Sequence, residues 1–171
     1  MKLINKTKCP SDILIPLIKA AGKSIGARVS NVVIKVTQAH APRMRGVAIK
    51  CFSYRFAHTK KYLKTDGGII ELVMPRFTTN YRKDIYSYDS VKLAKAFYKI
   101  CQHEWAHILD FQNRTYIPSP THPSGKRIRW KERPCEIFAM NKVEEAKEMP
   151  DQGRCTLRLA IWLEEQYPEP V

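Results

Sequence analysis

Two histidines four residues apart, His103 and His107, enclose Glu104 in the string His103-Glu104-Trp105-Ala106-His107. On a helix, residues at that spacing project from adjacent turns on one side, so two imidazoles can meet one metal ion. Glu104 stands one step round the helix, beside them. This is what a hydrolytic zinc needs. Neutral imidazoles hold the cation, zinc brings the pKa of a water towards neutrality, and the carboxylate takes a proton from that water and returns it to a leaving group. In a chain with five histidines, chance produces the string with a probability on the order of one in a hundred.

Catalytic zinc normally has three protein ligands, so a third must come from elsewhere. Asp110 lies on the same side of the helix, but ligands spread from 103 to 110 would span about 10 Å of axis, too far for one ion and a short carboxylate. It suits a supporting role, orienting a histidine from behind, and Asn141 is an alternative for that role. Glu136 is the stronger ligand candidate. It falls in the first turn of a helix expected from Pro134, and Ala139 one turn on would let two helices approach closely. Glu132 and His122 are the alternatives. Tyr116, His122 and Arg133 are candidates for stabilising an oxyanion.

The elements that must position these groups follow from periodicity. Residues 11–27 read as an amphipathic helix capped by Ser11 or Asp12, with Pro16 near its first turn. Residues 29–38, 46–57 and 67–74 carry β-branched or alternating patterns and predict three strands. Residues 90–112 predict the longest helix, free of Gly and Pro. Val91, Ala94, Tyr98, Cys101, Trp105, Ile108 and Leu109 form its apolar face, with Ala96, Ile100, His103, His107 and Asp110 on another. Residues 113–130 hold three prolines and a glycine and read as a loop. Helices over 134–147 and 154–166 complete the chain, with Ile137, Met140 and Val143 expected beneath the first and Leu157, Leu159, Ile161 and Trp162 in the core from the second.

With 171 residues, 44% of them hydrophobic, one core is expected and two ordinary domains are not. The architecture expected is α+β: an N-terminal helix and a small twisted mixed sheet of about three or four strands packed on the active-site helix, then a glutamate helix and a C-terminal helix. The single domain spans 1–171, with a basic helix and sheet half at 1–88 and a helical half carrying the metal site at 89–171. Five widely spread cysteines without CxxC pairing argue for reduced thiols. The apolar run at 13–18 is short and broken by Pro16, so the expectation is a soluble cytoplasmic protein with no membrane span. The net charge of +14 is uneven: residues 1–65 hold fourteen Lys and Arg against Asp12 alone, or +13, and the remainder contributes +1. Such a basic third fits a nucleic acid or an acidic protein partner, or simply a well-solvated face.

At His103-Glu104-Trp105-Ala106-His107 the chain resembles the zincin superfamily of metallopeptidases, and within it the small gluzincins, whose third ligand is a glutamate on a later helix. The resemblance covers residues 67 to about 147. It implies one zinc ion per chain held by His103, His107 and Glu136, Glu104 as general base, and a polypeptide substrate. It also makes the 68–74 segment similar to the edge strand that pairs with extended substrate, through Gly68, Ile70 and Leu72. Metzincins differ, since Asp110 and Asn113 stand where their Gly and third His would fall. Thermolysin-like members place an acid four residues after the third ligand, where this chain has Met140. A function of another class, a nucleic-acid-associated or regulatory protein with a non-catalytic zinc site, accounts for the charge but gives Glu104 no task.

Overall fold

A computed structural model describes residues 1–38, 52–53, 69–74, 89–112 and 134–166. Gly68, Tyr116, His122, Glu132, Arg133, the 113–130 loop and most of the expected 46–57 strand lie outside the described residues. The element order is β1 (Lys2–Asn5), α1 (Ser11–Ser24), β2 (Val33–Gln38), β3 (Phe52–Ser53), β4 (Ile69–Met74), α2 (Ser90–Gln112), α3 (Pro134–Glu144) and α4 (Gln152–Gln166). The result is mixed α and β, as expected.

The sheet runs β1-β2-β4-β3. β1, β2 and β4 are parallel, and β3 joins β4 antiparallel, with Phe52 opposite Glu71 and Ser53 opposite Ile70. Parallel neighbours need a crossover, and α1 provides it between β1 and β2. Alternation then divides each strand between two faces. Ile34, Val36, Ile70, Leu72 and Met74 are 0–1% exposed and join the helices in one core, while Lys35 and Glu71 face the other way and pair at 2.9 Å. β1 is an element that the periodicity does not predict. Its four residues, Lys-Leu-Ile-Asn, carry too little pattern, and it is held by register with β2.

The helix ends show where local chemistry was read too coarsely. α1 starts one residue after Pro10, which serves as its N-cap without a side-chain hydrogen bond, so Ser11 and Asp12 lie inside the first turn and do not cap it. Its end comes at Ser24, before the expected Ala27. Gly26, at φ +80°, donates to the Lys23 carbonyl at 3.0 Å and Ala27 to that of Gly22 at 2.9 Å, the pattern of a Schellman stop. Pro16 sits in the second turn and has no N–H to give Asp12. Arg158 of α4 takes that carbonyl instead at 3.4 Å and pairs with the Asp12 carboxylate at 2.7 Å. α3 stops at Glu144, short of residue 147, and the Lys147 N–H reaches the Ser24 carbonyl at 2.8 Å.

α2 is the hub, packing on α1, α3, α4 and the β3–β4 side of the sheet. With neighbours on so many sides its buried arc is wider than the expected stripe and takes in Leu93, Phe97 and Ala106, whereas Val91, in the first turn, is 43% exposed. In α4 the buried side holds Cys155, Leu159, Trp162 and Leu163. Leu157 and Ile161 therefore point outward at 54% and 47% exposure, since two residues along a helix turn the side chain by about 200°. Among the described residues, no helix is long and apolar enough to cross a membrane. Cys9, Cys101, Cys135 and Cys155 are all free thiols, and burial pushes Cys9 up to about 12 and Cys101 well above its ordinary value.

Candidate metal centre

α2 brings His103 and His107 to one side, one turn apart, and α3 lays Glu136 across them. Asp89 starts α2, its Oδ1 accepting from the Lys92 N–H at 2.9 Å. Further along, the Trp105 indole N–H donates to the Ile18 carbonyl of α1 at 2.9 Å, and Gln102 Nε2 donates to Ser24 Oγ at 2.9 Å. Gly22 makes this fit possible. A Cβ there would lie 2.8 Å from Val29 Cγ1 and 2.9 Å from Trp105 Cε2, so only a glycine lets the indole in. Sequence reading placed Trp105 on the apolar face but missed Gly22, whose signal is a lone glycine inside an apolar helix. With Trp105 fixed on α1, the adjacent His103 and His107 turn towards α3.

α3 begins at Pro134, as its sequence predicts, and buries Glu136 and Ala139. Ala139 is fully buried, consistent with close helix approach. Ile137 and Met140 do not pack beneath it but stand 43% and 37% exposed, because α3 offers α2 a narrow face on which Glu136 is central.

His103 Nε2 is hydrogen-bonded with Glu136 Oε2 at 3.0 Å, His107 Nε2 lies 3.2 Å from His103 Nε2, and His107 Nε2 lies 3.6 Å from the same Glu136 oxygen. The rings meet edge to face, interplanar angle 86°. The three side chains are only 19%, 12% and 11% exposed. Among the described residues these three form the group whose ligand atoms could hold a metal ion, and Asp110 is outside it. The triangle can be compared with a known geometry: a tetrahedral zinc with N and O ligands at about 2.0–2.1 Å sets neighbouring ligands about 3.3 Å apart. Edges of 3.0, 3.2 and 3.6 Å bracket that value.

Electrostatics favour a charged pair when no cation is present. Burial is the largest influence on Glu136 and opposes its ionisation, but hydrogen bonds from His103 and His107 and their charges outweigh it and hold the carboxyl at about 2. For His103, burial pulls down most strongly, yet the Glu136 hydrogen bond and the charges of Glu104 and Glu136 leave it raised. A cation would replace the proton that this pair shares.

Glu104 is 3% exposed, deeper than either histidine, and close enough for its charge to act on His103. Asp110 is buried at 7%, and Asn141 is exposed. The substrate-strand expectation needs correction. β4 is an interior strand between β2 and β3, Ile70 and Leu72 are buried at 1% and 0%, and among the described residues the edge next to α2 is β3. No protein-family model matches the chain, and it matches no curated protein and no solved structure.

Proposed function

We propose that this protein is a zinc-dependent metallopeptidase with a gluzincin-like centre in a zincin-like domain, in which His103, His107 and Glu136 hold one zinc ion and Glu104 is the general base. The observation that carries the reading is the triangle of His103 Nε2, His107 Nε2 and Glu136 Oε2, matched to the spacing of zinc ligands and drawn from two helices, with Glu136 33 residues after His103 in sequence. A zinc ion held there supplies a Lewis acid that acidifies water and polarises a carbonyl. The chain supplies the rest. The Glu104 carboxylate accepts a proton from the attacking water and delivers it to the leaving amine nitrogen. Its burial beside His103 keeps that carboxylate out of bulk solvent, where proton transfer would be lost to competing water. Extended substrate would pair with β3, the strand at the edge beside α2, and not with β4.

Glu104→Gln tests the reading, because it preserves shape while removing the base. Hydrolysis of a broad unlabelled peptide mixture, followed by mass spectrometry with zinc supplied, should fall about 10²–10⁴-fold while bound zinc stays at the wild-type level. Equal hydrolysis by both proteins would overturn it.

A second reading is a nucleic-acid-associated or regulatory protein with a non-catalytic zinc site. The exposed Lys2, Lys6, Lys8, Lys19 and Lys23 favour it. Its mark would be salt-dependent DNA binding that survives Glu104→Gln in a protein that hydrolyses nothing.

A further inference from the structure

The side of α2 that carries His103 continues towards the helix N-terminus as a row of lysines. At about 100° per residue, Lys92, Lys95, Lys99 and His103 fall within about 80° of one another, and the 1.5 Å rise puts the three lysines about 16, 12 and 6 Å along the axis from His103. All three are exposed. Lys92 pairs with Asp89 at 3.1 Å, whereas among the described residues Lys95 and Lys99 have no carboxylate partner. On α3 and α4 bases are matched to acids, as in Lys142–Glu145, Arg154–Asp151 and Arg158–Asp12. The row works against the helix. Like charges three and four residues apart repel, and the dipole disfavours a cation in the first turn, where Lys92 stands.

We infer that Lys92, Lys95 and Lys99 form a cationic lane that seats an acidic segment of the polypeptide substrate on its way to the metal centre. The inference deepens the hydrolase reading and rests on it. An extended peptide advances about 3.3 Å per residue, so a chain laid along the lane meets the lysines about two, four and five residues from the bond at the centre. The preferred substrate therefore carries Asp or Glu about two to five residues to one side of the scissile bond. A polypeptide is favoured over a nucleic acid because the lane leads into a site whose base and ligands suit amide hydrolysis.

The test uses the full chain with zinc supplied and quenched fluorescent peptides with an uncharged core, flanked on the N-terminal or C-terminal side by Asp-Glu-Glu-Asp or by Lys-Arg-Lys-Lys. An acidic flank on one side should raise kcat/KM about tenfold over the basic flank, and 1 M salt should abolish the difference as screening shortens to about 3 Å. Lys95→Glu combined with Lys99→Glu, at exposed positions where folding is not at risk, should reverse the preference. Equal cleavage of both flanks by the wild type, or an unchanged preference in the double variant, would overturn the lane. Should the wild type cut no peptide, the hydrolase reading fails, and the lane is then judged by fluorescence anisotropy of the acidic-flank peptide. Binding lost in the double variant upholds the lane, and equal binding by both proteins overturns it. A twenty-nucleotide oligothymidine that binds through these lysines, with no binding of the acidic peptide, also overturns it and assigns the row to nucleic acid.

Discussion

α2 is held on its two flanks by different chemistry. Against α1 it makes a mainly apolar, uncharged joint, with a fully buried Trp105 seated over Gly22, its single polar atom satisfied by the Ile18 carbonyl, and Gln102 hydrogen-bonded to Ser24 beside it. Against α3 the joint is polar, with Glu136 and Ala139 the residues that α3 buries, and Ile137 and Met140 left facing outward. The first joint closes on packing and two buried neutral hydrogen bonds. The second closes on an ion pair whose partners are also the best ligand set among the described residues. A fold that relied on α3 for stability would bury its large apolar side chains there. This one leaves Ile137 and Met140 exposed and Phe138 and Val143 only half-buried, and centres the contact on His103, His107 and Glu136, so the α1 flank serves as scaffold and the α3 flank as site.

Trp105→Ala should break the scaffold side with the largest effect, about 3–5 kcal/mol of unfolding free energy from lost burial and the cavity left behind. Urea denaturation checks this. A loss under about 1 kcal/mol would mean that the α1 joint is not the principal anchor of α2.

Glu136→Gln probes the site side and carries a pH signature. Glu136 is held at about 2, below its ordinary 4.5, so its contribution is present above 4.5 and lost as pH falls towards about 2. His103 is raised above 6.5, so its contribution is complete below 6.5 and lost as pH rises through the raised value. In the metal-free protein, the stability difference between wild type and Glu136→Gln should therefore be greatest between about pH 4.5 and 6.5, on the order of 2 kcal/mol for a charged, largely buried hydrogen bond. A difference that grows from pH 6.5 to 9 would contradict the pairing.

The two joints were also unequally legible in the sequence. The site side follows from spacing: i and i+4 on a helix fix the histidines, the two-residue-late Glu after Pro134 fixes the first turn of α3, and Ala139 permits the approach. Such local rules survive without knowledge of neighbours. The scaffold side depends on what packs where. Trp105 reads as apolar, but nothing in its spacing reveals that Gly22 receives it. β1 is too short to announce itself before β2 pairs with it. Leu157 and Ile161 read as core because a leucine-rich helix permits more than one apolar stripe, and the choice was made by α1 and α2. The strand at 69–74 has the composition of a buried strand, and placing it at the edge came from the resemblance, whereas among the described residues β3, which falls within the expected 46–57 strand, takes that position. Gly26 carries the usual C-terminal signal, a glycine just after an apolar run, but the reading of a helix to Ala27 passed over it.

The central claim is that two helices converge on one zinc ion, and metal content tests it most directly. Elemental analysis should be run on wild type, His103→Ala and Glu136→Ala, each purified reduced, supplied with zinc and desalted. The account predicts one zinc per chain in the wild type, none in His103→Ala and marked depletion in Glu136→Ala, with all three proteins folded by circular dichroism. A folded wild type that retains no zinc, or a Glu136→Ala protein that retains it in full, would contradict the account.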